Sequence, residues 1–481
     1  MHHFFSIQIR IKSFQSLSVL SLGLMGLLSG CQMIKPEPTA QVNVETQFSQ
    51  PAQYGLEAKK WETEGWKIAI PSDHLPRGEW WQVFQDAQLN QLVEQLNREN
   101  ASISQYEAQY RQATALLNQA TASTKPTVTA NTAVTRAKSG ENGTTTNYNM
   151  GLNASWEPDV WGKVRQNILV NQNKAQASEA ELNSIRLSMQ AQLTTSYLQW
   201  VILGFQLQSQ QESLKNLQKF LQLTQNQYQA GIVASTTVDQ AQSQYQTALA
   251  NDTEMRLAQI QLQHAIAMLT GQPQDQLQLT LPKTLPVLPQ IPVDLPSSIL
   301  QRRPDVAAAE RTMAAANAQV GVAKLAVFPD FSLGGSLGYK SSKLSDLLSA
   351  PNFIWSVGPT LAATLFDGGL RHAQTQQAKA AYDASADVYK QTVMSAIQNV
   401  EDNIAAQYLL SKEVAQEQQS LAAATRAEQS TTNQYKAGIV GYLNVLTAQN
   451  NRLSAQNSVW SLTSKQYQTT VSLISAMGGS F

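Results

Sequence analysis

Apolar residues recur along this chain in two rhythms. In Tyr148-Asn149-Met150-Gly151-Leu152-Asn153-Ala154-Ser155-Trp156 every even position is apolar or aromatic and every odd one is Asn, Gly or Ser. A period of two predicts a strand with one greasy and one wet face. Phe331, Leu333, Leu337 and Tyr339 alternate with Ser332, Gly334, Ser336 and Gly338 in the same way. Val128, Ala130 and Val134 alternate more weakly, and Phe353 to Phe366 forms a fourth candidate. Its Pro359 predicts a bulge or bend, because a proline has no N–H to give to a central ladder. The second rhythm is helical. From about Lys163 to Gln229 there is no Pro and a single Gly, Gly204, while Leu193, Tyr197, Trp200, Val201, Leu207, Leu214 and Leu217 recur at helical spacing. About 65 residues at 1.5 Å each span roughly 100 Å, which suits a coiled-coil-like wall better than a globular core. The counterpart from about Leu370 to Lys436 lacks both Pro and Gly.

These rhythms repeat. Asn226-Gln227-Tyr228-Gln229-Ala230-Gly231-Ile232-Val233 returns as Asn433-Gln434-Tyr435-Lys436-Ala437-Gly438-Ile439-Val440, an offset of 207 that also joins Ala241-Gln242 to Ala448-Gln449 and Gly271 to Gly478. Upstream the register slips by one, Gly162 and Arg165 matching Gly368 and Arg371. Two tandem copies of one unit therefore make up most of the chain, over 80–271 and 296–479, joined by a linker over 272–295. Each copy is expected to contain a shorter helix, two strands (about 126–157 and 329–366), a very long helix, a turn (about 228–237 and 435–444) and a second helix. A lone hairpin is marginally stable, and four strands cannot close a barrel that needs about eight. No run reaches the eighteen apolar residues of a membrane helix, so entry into a membrane by the backbone would require a closed β-barrel. The chain must then borrow the missing strands from copies of itself.

The first thirty residues carry Arg10 and Lys12, an apolar run from Leu17 to Leu28, and the tetrad Leu28-Ser29-Gly30-Cys31. This reads as a secretory signal peptide over 1–30, too short to span a membrane. The tetrad resembles the bacterial lipobox, which makes Cys31, the chain's one cysteine, the expected site of lipidation rather than a lone buried thiol. Gln32 stands where inner-membrane lipoproteins typically carry Asp, which by resemblance directs the chain to the outer membrane. Without Arg10 and Lys12 the chain holds 32 basic and 34 acidic residues, a balance that gives no electrostatic case for nucleic acid. His74, His264 and His372 lie far apart without ligand spacing, and Gly334-Gly335 sits in a strand rather than before a helix. No enzyme activity, metal or cofactor is therefore expected.

Several motifs together resemble the outer-membrane factor family, the TolC-like and OprM-like exit ducts. They are Trp80-Trp81-Gln82-Val83-Phe84-Gln85-Asp86 with Leu89, Leu92 and Asn100; Trp156-Glu157-Pro158-Asp159-Val160-Trp161-Gly162-Lys163-Val164-Arg165; and the Tyr-x-Ala-Gly turns at Tyr228 and Tyr435. Leu295-Pro296 through Leu300-Gln301-Arg302-Arg303-Pro304-Asp305-Val306, Phe328-Pro329, and Leu365-Phe366-Asp367-Gly368-Gly369 complete the set. The resemblance implies an α+β membrane fold. Three chains of four strands each would form a trimeric twelve-stranded outer-membrane β-barrel, continuous with a long periplasmic α-helical barrel. The segments Gln41 to Leu75, within 31–79, and Gln272 to Pro292 would form a girdle around its waist.

The implied function is the passive outer-membrane channel of a tripartite efflux system that exports small amphiphilic compounds. Its implied partners are two further copies of itself, outer-membrane lipid, a periplasmic adaptor and an inner-membrane pump of the RND type. A type I protein-secretion duct is the alternative, disfavoured by the lipobox and the Leu300 to Val306 motif; a lipid-anchored scaffold without a pore is a more distant one. The adaptor would dock at the tip formed by Tyr228, Gly231, Val233, Tyr435, Gly438 and Val440. In OprM-like relatives the position matching Leu443 narrows the closed tip, and those matching Thr447 and Asn450 typically carry Asp and Arg. Here both charges are absent, so the periplasmic gate formed by Leu443, Thr447 and Asn450 is expected to close by apolar contact and to respond little to salt. Asp239, matching Leu446, is either a lumen charge or a solvated carboxylate.

Overall fold

A computed structural model describes residues 78–138, 140, 143–289, 291 and 302–479. The leader, Cys31, His74, nearly all of 31–79 and the last residues of the linker lie outside the described residues.

The first copy opens with a 3-10 turn, Trp80–Phe84, and two helices, α1 (Ala87–Glu99) and α2 (Ala101–Ala122). Asp86 caps α1 by accepting from the N–H of Gln88 and Leu89, and its other oxygen accepts from the Tyr197 hydroxyl at 2.9 Å. The expected single helix is broken at Asn100, whose side chain accepts from the Ile103 N–H and donates to the Leu269 carbonyl. Strands β1 (Thr127–Lys138) and β2 (Thr144–Trp156) follow, then α3 (Lys163–Gln229) and α4 (Ser235–Thr270). The second copy runs α5 (Pro304–Leu325), β3 (Asp330–Ser341), β4 (Phe353–Ala362), α6 (Leu370–Lys436) and α7 (Tyr442–Ala476). Helices α3 and α6 are both 67 residues long, about 100 Å at 1.5 Å per residue.

The described residues divide into two units. The first, over 114–174 and 312–386, holds the sheet. Its two hairpins join edge to edge through β2 and β3 into one antiparallel sheet of order β1-β2-β3-β4. The registers place Val128, Leu152, Met150, Trp156, Leu333, Leu337, Trp355, Val357 and Leu361 on one face, all exposed. The opposite face carries Asn131 and Asn153, hydrogen-bonded to each other, and the paired hydroxyls of Ser336 and Ser356. Gly151 and Gly338 lie opposite each other on this polar face. A Cβ on Gly338 would collide with the Met150 carbonyl, and one on Gly151 would sit 2.9 Å from that of Leu337. The two backbones therefore approach closely on the polar face where the two copies meet, and only glycine leaves room.

Pro359 corrects the sequence reading. The β3–β4 register runs without interruption from Asp330 opposite Ala362 to Tyr339 opposite Phe353, and Pro359 faces Leu333 with no bulge. Within the chain β4 pairs only with β3, and that pairing passes the proline without a break. The strand also stops at Ala362 rather than Phe366.

In the same unit the duplicated motifs cap the long helices. Asp159 accepts from the Val164 and Arg165 N–H and from Arg165 Nε at 2.8 Å. Asp367 does the equivalent work for Gly369 and Arg371, and the Gly369 N–H, before any charge, holds its carboxyl below the usual range. Trp161 stacks on Phe328 at 5.2 Å and donates to the Pro329 carbonyl.

The second unit covers 78–113, 175–311 and 387–479. Its main core gathers Trp80, Phe84, Leu89 and Leu96 against Leu193, Tyr197 and Val201 of α3, Ile266 of α4, and Val471 and Ile474 of α7. The linker after Gly271 has neither helix nor strand through residue 289, yet Leu277 is buried and Leu279, Leu281, Leu285 and Leu288 pack on this core. Leu281 lies over Gly204, where a Cβ would strike its side chain, which explains the only glycine in α3.

Candidate functional site

The two turns between long and short helices are built alike. Helix α3 ends in a Schellman motif: the Gly231 N–H donates to the Tyr228 carbonyl at 2.9 Å and that of Ile232 to Gln227 at 2.8 Å. Helix α6 repeats it with Gly438 on Tyr435 and Ile439 on Gln434, both at 2.9 Å. Gly231 and Gly438 each take φ of 74°, a left-handed conformation that side chains resist. The following helices start without side-chain caps, at Ala234 and Gly441. Ile232, Ile439 and Leu443 are 70%, 72% and 64% exposed, so the two turns present apolar residues to solvent.

Behind the turns the two copies differ. Phe220 of α3 stacks on Tyr442 of α7 at 5.0 Å and lies 5.7 Å from the ring of Tyr435 of α6. Leu221, Ala241 and Val445 close this cluster, with Val238, Tyr245 and Leu446 at its edge. The Tyr435 hydroxyl donates to Gln227 Oε1 at 2.8 Å. Burial, then the neighbouring Tyr435, pushes the Tyr442 hydroxyl up to about 12, and burial raises Tyr435. Tyr228, the sequence counterpart of Tyr435, is instead half exposed. The matching turn motifs thus place one tyrosine inside the joint between copies and the other outside it.

Above the aromatic cluster the seam between α7 and α3 becomes polar. Arg452 pairs through Nε with Glu428 of α6, donates to Gln456 Oε1 at 2.6 Å and reaches Ser213 Oγ of α3 at 3.4 Å. Gln456 in turn donates to Ser209. Of the expected gate residues, Asn450 accepts from Gln244 of α4 at 2.7 Å, and the Thr447 hydroxyl is spent on the carbonyl of Leu443 within its own helix. Gln449 is buried with its Oε1 lacking a hydrogen-bond partner. Val440 and Thr447 line one groove together with Ala427 and Ala448, while Val233 is only partly buried in the other copy's turn.

The Glu428–Arg452 pair escaped the sequence reading, although the offset of 207 carries its signal. It aligns Leu221 with Glu428 and Tyr245 with Arg452, so a position apolar in one copy is ionic in the other. Among the described residues no group of three or more His, Cys, Asp or Glu could hold a metal, and no helix is long and apolar enough to cross a membrane.

A family model described as "Outer membrane efflux protein" matches residues 92–272 and 295–479, the two copies of the repeat. The chain belongs to the outer membrane efflux protein family. The probable efflux pump outer membrane protein TtgC of Pseudomonas putida is 27% identical over 473 residues, covering 96% of this chain and 95% of that protein. The probable outer membrane lipoprotein SilC of Salmonella typhimurium is 25% identical, covering 96% and 98%. Among solved structures, the outer-membrane channel OprN superposes with a TM-score of 0.81 at 27% identity, over 93% of this chain and 98% of that one. VceC of Vibrio cholerae gives 0.80 at 26% identity, over 85% and 100%. This efflux protein is accordingly an outer-membrane channel component of an efflux pump.

Proposed function

We propose that three copies of this efflux protein form the passive exit duct of a tripartite pump. The observation that carries the reading is the sheet: four strands, one exposed apolar face, a polar face tightened by Gly151 and Gly338, and two free edges at β1 and β4. A barrel removes such edges, and an apolar outer face suits lipid. Three chains would supply twelve strands, with Cys31 adding an acyl anchor and the long helices forming a periplasmic tube. The turns at Gly231, Val233, Gly438 and Val440 would receive a periplasmic adaptor, with Tyr435 packed behind them in the chain and Tyr228 at the edge of the first turn, and an RND-type inner-membrane pump would supply the energy. Leu443 would narrow the tip, with Thr447 and Asn450 offering no charge to the lumen.

Relatives are named for the export of toluene, antibiotics, pyoverdine and cations, which supports small cargo, including amphiphiles, over an unfolded polypeptide. Deleting the gene tests this: drug and solvent susceptibility should rise while protein secretion stays intact. Loss of a secreted protein with unchanged susceptibility would overturn it.

A further inference from the structure

The second copy of the coil carries a groove of about 690 Å³ between α6 and α7, lined by Ala423, Ala424, Ala427, Thr431, Thr447 and Ala448 among others. The same place in the first copy is full. There Leu217 stands for Ala424 and Phe220 for Ala427, while Ala241 matches Ala448. Phe220 and Ala241 are covered by Tyr442 and Val445, which α7 brings in from the other copy. The joint between copies within one chain is therefore directional: α3 and α4 receive, and α7 with the end of α6 inserts.

In a closed ring of tandem repeats the second copy of each chain is followed by the first copy of the next, so a head-to-tail joint of this kind recurs between chains. Its receiving side is the groove. Its inserting side consists of the residues that match Tyr435, Tyr442 and Val445, namely Tyr228, Ser235 and Val238 of the neighbouring copy. Tyr228 is 50% exposed in the single chain, although its counterpart Tyr435 is packed against Phe220. We propose that this groove is the socket for a second copy of the same chain and that Tyr228 of the neighbour enters it beside Ala427. Ala427 offers methyl-sized bulk where Phe220 offers a ring, and Ser235 replaces Tyr442, so the interchain joint has room for the tyrosine and one aromatic in place of three. The proposal rests on the ring-shaped trimer proposed above.

The test uses the full chain carrying Tyr228→Cys and Ala427→Cys, extracted in detergent and treated with a short bifunctional maleimide. Denaturing gels should show covalent dimers and trimers, absent from each single variant, which controls for Cys31. Light scattering of the same samples reports the assembly, and Phe220→Cys with Tyr442→Cys reports the intrachain joint through an added crosslinker mass without dimers. A trimer that crosslinks within the chain but never between chains overturns the socket and leaves the duct standing. A monomer in detergent overturns both.

Discussion

Replacing Arg452 by leucine removes the ionic link between α6 and α7 within the second copy, together with its reach across the seam to Ser213 of α3. The pair with Glu428 is shielded but not sealed, its side chains being 18% and 22% exposed. Removing one partner of a buried pair costs about 3–5 kcal/mol, whereas exposed pairs are worth about 0–1 kcal/mol. For a pair shielded to this degree we expect about 2 kcal/mol, including the bonds lost to Gln456 and Ser213. The copy-one solution supplies a control. Glu428→Leu together with Arg452→Tyr installs the residue types of Leu221 and Tyr245, which sit together in the apolar cluster, and should fall within about 1 kcal/mol of the parent protein. Hydrogen exchange of the α7 amides from 445 to 456 reads local opening directly. At 1.4 kcal/mol per decade the single variant should exchange about thirty-fold faster. Exchange within two-fold of the parent, or a double variant as fast as the single one, would refute a stabilising role for the Glu428–Arg452 pair.

Four further outcomes follow from the same geometry. Gly338→Val should abolish barrel assembly, measured as trimer yield in detergent, because any Cβ there collides with the Met150 carbonyl; normal yield would show that the close approach of β2 and β3 at that point does not require glycine. Tyr442 holds its proton to about 12 in the folded cluster, against about 10 for an unfolded tyrosine, so its contribution to stability is complete below pH 10 and declines as pH rises from about 10 to 12. Tyr442→Phe should therefore delete tyrosinate absorbance that appears near pH 12, and amplitude lost near pH 10 instead would contradict that burial. Closed-state conductance, corrected for the bulk electrolyte, should change little across a salt series, since Leu443, Thr447 and Asn450 carry no charge and the Glu428–Arg452 pair is shielded; a steep opening at high salt would count against this. Cys31→Ser should lose incorporation of labelled palmitate, and retained label would move the lipid elsewhere.

Much of the architecture was legible because its signals are local and periodic. Alternation at 148–156 and 331–339 marks strands whose two faces the register then keeps apart, and the absence of Pro and Gly over α6 leaves little besides helix. The bulge expected at Pro359 is absent because the β3–β4 register, a long-range property, runs past it without interruption. The break at Asn100 was hidden for a similar reason: its donor group is satisfied by the Leu269 carbonyl, 169 residues away. At the tip the matching motifs suggested two equivalent tyrosines. Their environments diverge because Phe220 comes from α3 and Tyr442 and Val445 from α7, and only the fold shows that Tyr435 meets them while Tyr228 is left half exposed. A position-by-position comparison of the copies would have exposed Phe220 against Ala427 and Leu221 against Glu428 as places where the duplication had lost its symmetry.

If three chains assemble into a water-filled pore, purified protein must conduct ions. Single-channel recording in planar bilayers, on purified protein and on the Arg452→Leu variant whose tip should open more readily, tests it most directly. Trimeric fractions should give discrete conductance steps, larger or more frequent in the variant. Bilayers that stay silent with both proteins across voltage and pH would contradict it and leave a lipid-anchored scaffold in its place.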